Sequence, residues 1–314
     1  MSAHTLLLLS QDNEQYHALL KQAYLPGLTI VAPTLQGEIQ AALPIADILL
    51  GEPARLKPWL KEARALKWAQ STYAGVDTLL TPGCRHDYRL TNVRDIFGPL
   101  ISEYIFAHLL SVTRHLRHYR EQQRHHNWQP IPYQSLQGKT MLIVGTGSIG
   151  QHIANTARQF GITVLGVSRS GREAPGFERT YQVQALNKVL PKADILVSVL
   201  PSTPETRNLF DGERLNHIKP GVIFFNIGRG DAVDEAALIQ ALRNGRIGAA
   251  ILDVFATEPL PADSLLWDMP NVIVTPHNAG YSFPDQVVGR FCRNYLKFIE
   301  GKPMEGLVNF DLGY

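Results

Sequence analysis

Three polar residues in the second half of the chain have the types that carbonyl chemistry requires. They are Arg229 in Asn226-Ile227-Gly228-Arg229-Gly230, Glu258 in Ala256-Thr257-Glu258-Pro259, and His277 in Thr275-Pro276-His277-Asn278. Each has an ordinary alternative: a loop cation, a helix-start carboxylate, a core-edge imidazole. Together their roles are complementary. A guanidinium can hold a carboxylate and polarise a carbonyl. An imidazolium can protonate the carbonyl oxygen as hydride arrives. A carboxylate beside that imidazole orients it and keeps it charged near neutrality.

A hydride needs a carrier, and the stretch Lys139–Ser170 has the pattern of a carrier site. Met141–Val144 is a short apolar run that reads as a buried strand. Gly145-Thr146-Gly147-Ser148-Ile149-Gly150 follows as G-x-G-x-x-G, then a helical stretch Gln151–Phe160 and a second apolar run Ile162–Val167. Strand, glycine turn, helix and strand form the context that gives this fingerprint its meaning. Gly145 permits the tight turn, Gly147 lets backbone approach a pyrophosphate, and Gly150 allows close helix–strand packing. The helix-start N–H groups, at Ser148 and Ile149, attract phosphate together with the helix dipole. NAD sites carry an acid about 20 residues after the glycines. Here the chain reads Ser168-Arg169-Ser170, with Arg172 close behind and no carboxylate. A guanidinium forks onto phosphate oxygens. NADP(H) is therefore expected in preference to NAD(H), with Arg169 on the 2′-phosphate and Ser168 or Ser170 donating a hydrogen bond.

The elements that must position these residues are read from the alternation of apolar runs. At 314 residues the chain is longer than one core comfortably organises, so two domains are expected. The net charge of +2 gives no reason to expect nucleic acid as a partner. Cys84 and Cys292 match no metal or redox spacing and read as free thiols of a cytoplasmic protein. The Leu6–Leu9 run is short and has no basic flank before it, which favours a first strand over a signal peptide or membrane span.

Residues 1–98 read as a smaller α/β unit. Strands are expected at Thr5–Leu9, Thr29–Ala32, Ile48–Leu50 and Trp68–Gln70, with helices at Glu14–Ala23 and Pro53–Ala65. After Trp68 the chain runs into a small-residue turn, where exposed backbone N–H groups at Ala74 and Gly75 could bind an anion. Ile101–Arg124 is expected as one long helix, apolar in its first half and rich in Arg and His in its second. His115, His118, His125 and His126 invite a metal reading, but no acid or sulfur completes a site, so none is expected. Trp128 and the prolines at 130 and 132 end this stretch. Strands at Asp194–Leu200, Val222–Ile227, Gly248–Val254 and Val272–Thr275, and a helix at Asp231–Asn244, continue the alternation. Ligands of an open α/β sheet sit at the carboxyl ends of its strands, where Arg229, Glu258 and His277 fall. Pro284–Glu300 reads as a closing helix.

In order along the chain, Gly145–Gly150, Asn226-Ile227-Gly228-Arg229-Gly230, Asp253-Val254-Phe255 with Glu258-Pro259-Leu260, and Thr275-Pro276-His277-Asn278-Ala279-Gly280 resemble the motifs of the D-isomer-specific 2-hydroxyacid dehydrogenases. The likeness spans nearly the whole chain and includes Ala74-Gly75-Val76-Asp77. The Ser-Arg pair, the length and the Trp128 region are most similar to the NADPH-dependent glyoxylate/hydroxypyruvate reductase branch. The resemblance implies an α/β fold of two Rossmann-like domains. A doubly wound NAD(P)-binding domain, 99–283, would be inserted in a smaller flavodoxin-like substrate domain, 1–98 and 284–314. It implies Arg229, Glu258 and His277 as the catalytic residues, and Tyr73, Ala74 and Gly75 as the loop gripping the substrate carboxylate. It also implies that Asp253 holds the nicotinamide carboxamide, with Leu200, Pro201, Thr206, Ile227, Gly228 and Ala279 along the cofactor. A homodimer built through the nucleotide domain is implied, and no nucleic acid or membrane. The same resemblance leaves room for a cofactor-sensing corepressor, or for a phosphoglycerate, formate or phosphite dehydrogenase.

Overall fold

The computed structural model describes residues 3–313; residues 1, 2 and 314, the outer ends of the first expected domain, lie outside them. The chain divides into two compact units. One runs to Ile96 and resumes at Ser282, and the other is Phe97–Tyr281.

The first unit contains β1 (His4–Leu9), α1 (Asn13–Gln22), β2 (Leu28–Val31), α2 (Gln36–Ala42), β3 (Ile48–Gly51), α3 (Pro53–Leu56), β4 (Trp68–Ser71) and β5 (Arg89–Thr91). All strand pairings are parallel, in the order β2-β1-β3-β4-β5, the doubly wound order of flavodoxin-like sheets. Both faces of such a sheet are covered, so its strands read as unbroken apolar runs; Leu6, Leu7 and Leu8 are fully buried. One face packs Leu7, Leu49, Ala69 and Leu90 against Leu43, Leu56, Leu60 and Val308. Trp68, adjacent to Ala69 and so on the opposite face, stacks on Phe291 of the C-terminal helix with centroids 4.9 Å apart.

The second unit contains α4 (Phe97–Thr113), α5 (Leu116–Arg124), β6 (Thr140–Val144), α6 (Ser148–Gln159), β7 (Thr163–Ser168), β8 (Arg179–Gln182), α7 (Leu186–Val189), β9 (Ile195–Ser198), α8 (Gly212–His217), β10 (Val222–Asn226), α9 (Glu235–Arg243), β11 (Ile247–Leu252) and β12 (Val272–Val274). Its seven strands are parallel, in the order β12-β11-β10-β9-β6-β7-β8. The direction of winding reverses between β6 and β9. Helix α10 (Pro284–Ile299) then belongs to the first unit. The expected α/β class with parallel sheets is what the structure shows. Among the described residues, no helix is long and apolar enough to cross a membrane.

Three expected helices are corrected. Pro53–Ala65 ends at Leu56 and tightens into a 3₁₀ turn at Lys57–Trp59, because Pro58 has no N–H to give an α-helix. Ile101–Arg124 is two helices, broken where His115 takes a left-handed φ of +55°. Thr113 bonds back to the Leu109 carbonyl at 2.8 Å, and arginines 114, 117 and 120 repel at three-residue spacing. Asp231–Asn244 begins only at Glu235, because the Asp234 carboxylate caps the Ala237 N–H at 3.1 Å. Strands β5 and β8 went unread because Arg-Leu-Thr and Arg-Thr-Tyr-Gln carry no apolar run.

Candidate active site

The carboxyl edge of the seven-stranded sheet collects every polar loop the sequence singled out in this unit. Strand β6 runs into Gly145, whose φ of +116° only glycine adopts easily. A Cβ on Gly150 would sit 2.1 Å from the Gly145 carbonyl oxygen, so the turn closes only with glycine there. Gly147 caps α6 in extended conformation with no side-chain capping bond. A Cβ built on Gly147 would meet no heavy atom within 4 Å. This open turn, facing the start of a twelve-residue helix, fits the pyrophosphate of a dinucleotide.

At the end of β7, Ser168 Oγ accepts from Gly171 N at 3.1 Å and Ser170 Oγ from Arg172 N at 3.4 Å. Arg169 is exposed, and its charge reaches Glu205. The Glu205 carboxyl lies below its usual range, chiefly through hydrogen bonds from its own backbone and Thr203, with Arg169 adding to them. At the end of β9, Thr206 Oγ1 donates to the Pro201 carbonyl at 2.6 Å and accepts from Thr203 N at 2.9 Å, which closes the 201–206 turn below half-buried Leu200.

The three chemical residues occupy the next three strand ends. After β10, buried Asn226 donates to the Arg229 carbonyl at 3.0 Å, and Arg229 Nη1 donates to Gly228 O at 2.8 Å. Ile227 N is bonded to Ser198 O at 3.1 Å, tying the loop to β9. After β11, Glu258 Oε1 accepts from Phe255 N at 2.9 Å. Its Oε2 lies 2.8 Å from His277 Nδ1, on the loop after β12. Burial alone would raise the Glu258 carboxyl. Hydrogen bonds from His277 and Phe255, with the charges of His277 and Arg229, outweigh burial and hold it below the usual range. Glu258 and His277 are thus in contact, and Arg229 is near enough for its charge to act on the pair.

Asp253 also supports the loop that carries His277. It is 2% exposed, and its carboxylate already accepts from Thr275 Oγ1 (2.6 Å), Asn278 N (2.9 Å) and Ala279 N (2.9 Å). The Ala279 amide is committed to that bond. Thr275, Tyr104 and Asn226 went unremarked in the sequence; their signal is only a hydroxyl or amide at a strand end or on an apolar helix.

The Tyr73–Gly75 loop lies in the first unit. Ser71 Oγ donates to Tyr73 O (2.9 Å) and accepts from Tyr73 N (3.0 Å), while Asn92 Nδ2 donates to Ala74 O at 2.6 Å. Gln70, fully buried at the end of β4, supports the loop by donating to Ser71 O at 2.8 Å. The basic helix α5 buries no residue, and beyond it Trp128 is 99% exposed. His115 is bonded to the Pro132 carbonyl at 3.0 Å, and His125 lies 3.3 Å from Glu121.

The sequence profile of the D-isomer specific 2-hydroxyacid dehydrogenases, NAD binding domain, matches residues 106–279. The chain belongs to this family. It is an oxidoreductase with an NAD-binding domain. The crystal structure of a D-isomer specific 2-hydroxyacid dehydrogenase family protein from Aeromonas salmonicida is 59% identical and superposes with a TM-score of 0.94 over 99% of this chain and 100% of that one. An NADPH-dependent glyoxylate/hydroxypyruvate reductase from Sinorhizobium meliloti, solved with NADP and sulfate, is 30% identical with a TM-score of 0.89 over 99% and 100%. Glyoxylate/hydroxypyruvate reductase A of Escherichia fergusonii is 31% identical over 258 residues, covering 80% of this dehydrogenase and 83% of the relative.

Proposed function

We propose that this dehydrogenase reduces a short 2-ketoacid, glyoxylate, hydroxypyruvate or a similar acid, to the D-2-hydroxyacid with NADPH. The observation that carries the reading is the 2.8 Å contact between Glu258 and His277 beside the Arg229 charge, on the sheet edge that also bears the glycine turn. When bound, the nicotinamide coenzyme supplies the hydride. Arg229 draws electron density toward the carbonyl oxygen and binds carboxylate. His277 delivers the proton to that oxygen. Its Nδ1 is held by Glu258, so Nε2 is the nitrogen that acts. The Ala74 and Gly75 N–H groups take the substrate carboxylate, on a loop held in shape by Ser71 and Asn92.

The preference for NADPH rests on Ser168, Arg169 and Ser170 standing where NAD sites carry an acid. The Sinorhizobium relative's complex with NADP supports it. The protein acts in a reducing compartment, the cytoplasm, where Cys84 and Cys292 stay free thiols. It works as a homodimer, for which the exposed Trp128, Tyr133 and Leu116 around α5 offer an apolar surface. Sedimentation equilibrium at twice the chain mass supports the dimer, and a monomer refutes it.

Initial rates over a panel of 2-ketoacids with each coenzyme test the function. The expected result is turnover of glyoxylate or hydroxypyruvate with kcat/KM for NADPH well above that for NADH. No turnover across the panel, or a clear NADH preference, overturns the corresponding half of the reading.

A further inference from the structure

His277 sits at a φ of +51°, in the left-handed region that a non-glycine residue occupies only when its surroundings hold it there. The group that holds it is Asp253. The Asp253 carbonyl accepts the His277 N–H at 2.9 Å. The Asp253 carboxylate accepts the next two amides, Asn278 N on Oδ1 and Ala279 N on Oδ2, each at 2.9 Å. One residue thus fixes three successive peptide units around the imidazole.

Asp253 is itself held from outside the loop. Thr275 Oγ1 donates to Asp253 Oδ1 at 2.6 Å, which uses the hydroxyl's single proton. The Tyr104 hydroxyl, 2.6 Å from that Thr275 oxygen, must therefore be the donor in their contact. Burial pushes the Tyr104 phenol up, so it stays protonated and keeps donating. Tyr104 belongs to α4, and the same helix meets the loop again: a Cβ on Gly280 would lie 3.0 Å from Phe97 and 3.4 Å from Ile101. The result is a directed chain, Tyr104 to Thr275 to Asp253, that ends on the backbone carrying His277.

We propose that Tyr104 and Thr275, acting through Asp253, are positioning residues that hold the His277 loop in its left-handed conformation. The proposal rests on the reading of His277 as proton donor for its functional consequence, but the anchoring itself does not.

The test uses Thr275→Val, Thr275→Ser, Tyr104→Phe and Asp253→Asn in the full chain, measured in two ways. The first is hydrogen–deuterium exchange of the 275–280 segment without coenzyme or substrate. Loss of one buried hydrogen bond in Thr275→Val should raise exchange at Asn278 and Ala279 by about 10-fold while the rest of the sheet stays protected. The second is kinetics: a misplaced imidazole should lower kcat by about 10–100-fold, with NADPH affinity within about twofold of wild type. Thr275→Ser, which keeps the hydroxyl, should restore both, and Tyr104→Phe should show the same signature at about 3–10-fold. Unchanged local exchange in Thr275→Val overturns the anchoring. So does an Asp253→Asn enzyme whose NADPH affinity falls while exchange of the loop is unaltered, for that is the behaviour of a coenzyme ligand. Failure of the underlying reading looks different: His277→Ala would retain turnover, and the exchange arm would still decide whether the chain holds the loop.

Discussion

The two parallel sheets solve the same problem at their amino edges and diverge at their carboxyl edges. Just before the central strand β3, Asp47 accepts the Thr5 N–H of β1 at 2.9 Å, His4 Nδ1 at 2.6 Å and Lys67 Nζ at 3.3 Å. Just before β9, Asp194 accepts the Thr140 N–H of β6 at 2.9 Å and Lys219 Nζ at 2.6 Å. Each aspartate ties the first strand of its sheet to its neighbour, and each backs the bond with a lysine. The opposite edges share no such device. In the first unit the strand ends carry small hydrogen-bonded loops, Ser10 on Glu52 at 2.7 Å and Ser71 on Tyr73. In the second they carry a glycine turn, a guanidinium, two carboxylates and an imidazole. One edge of a doubly wound sheet serves the fold, and the other is where ligand chemistry is placed.

Substitutions at the two edges should therefore fail in different ways. At the carboxyl edge of the second unit, His277→Ala should lower kcat by about 10²–10⁴-fold with little change in urea midpoint. A variant with near-wild-type turnover would remove the contrast. On the same edge, Arg169→Ala should lower kcat/KM for NADPH by about 10–100-fold and leave that for NADH nearly unchanged, since it removes charge-assisted bonds to a phosphate. Equal losses with both coenzymes would show that Arg169 serves the loop rather than the 2′-phosphate.

The amino edges should lose stability with catalysis retained. Asp47→Asn and Asp194→Asn each remove a charge-assisted bond to a strand N–H, for an expected cost of about 1.5–3 kcal/mol in urea unfolding. Burial alone would raise both carboxyls. For Asp47, bonds from His4, Thr5 and Lys67 and the His4 charge outweigh it; for Asp194, bonds from Lys219 and Thr140 and the lysine charges do. Both lie below the usual carboxylate range in the folded state. Their stabilisation is therefore complete above the unfolded pKa of about 3.9 and is lost as pH falls through the lower folded values. Wild type should weaken steeply below about pH 4, and each Asn variant should show a shallower acid slope. An unchanged slope would show that the two clamps are not equivalent supports.

The strands, and the place of Arg229, Glu258 and His277 at their carboxyl ends, are legible because their signals are strong and local. Continuous apolar runs mark buried parallel strands, and a glycine fingerprint between two of them admits few other structures. The dehydrogenase family was readable from four ordered motifs. The pieces that escaped depend on tertiary partners. β5 and β8 are polar edge strands that pair without an apolar run. The break at His115 arises from a Thr113 back-bond and a row of like charges, not from glycine or proline. Asp253 was legible as a motif residue, but its bonds run to Thr275, Asn278 and Ala279, more than twenty positions away. Tyr104, through which α4 braces them, lies 171 residues from Thr275.

The bond between Glu258 Oε2 and His277 Nδ1 is the contact on which the proposed proton transfer turns, and Glu258→Gln probes it directly. The amide keeps the shape but removes the anionic partner that orients the imidazole, so kcat with glyoxylate and NADPH at neutral pH should fall by about 10²-fold. KM for both reactants should stay within a few-fold. Wild-type kcat in Glu258→Gln would contradict the account.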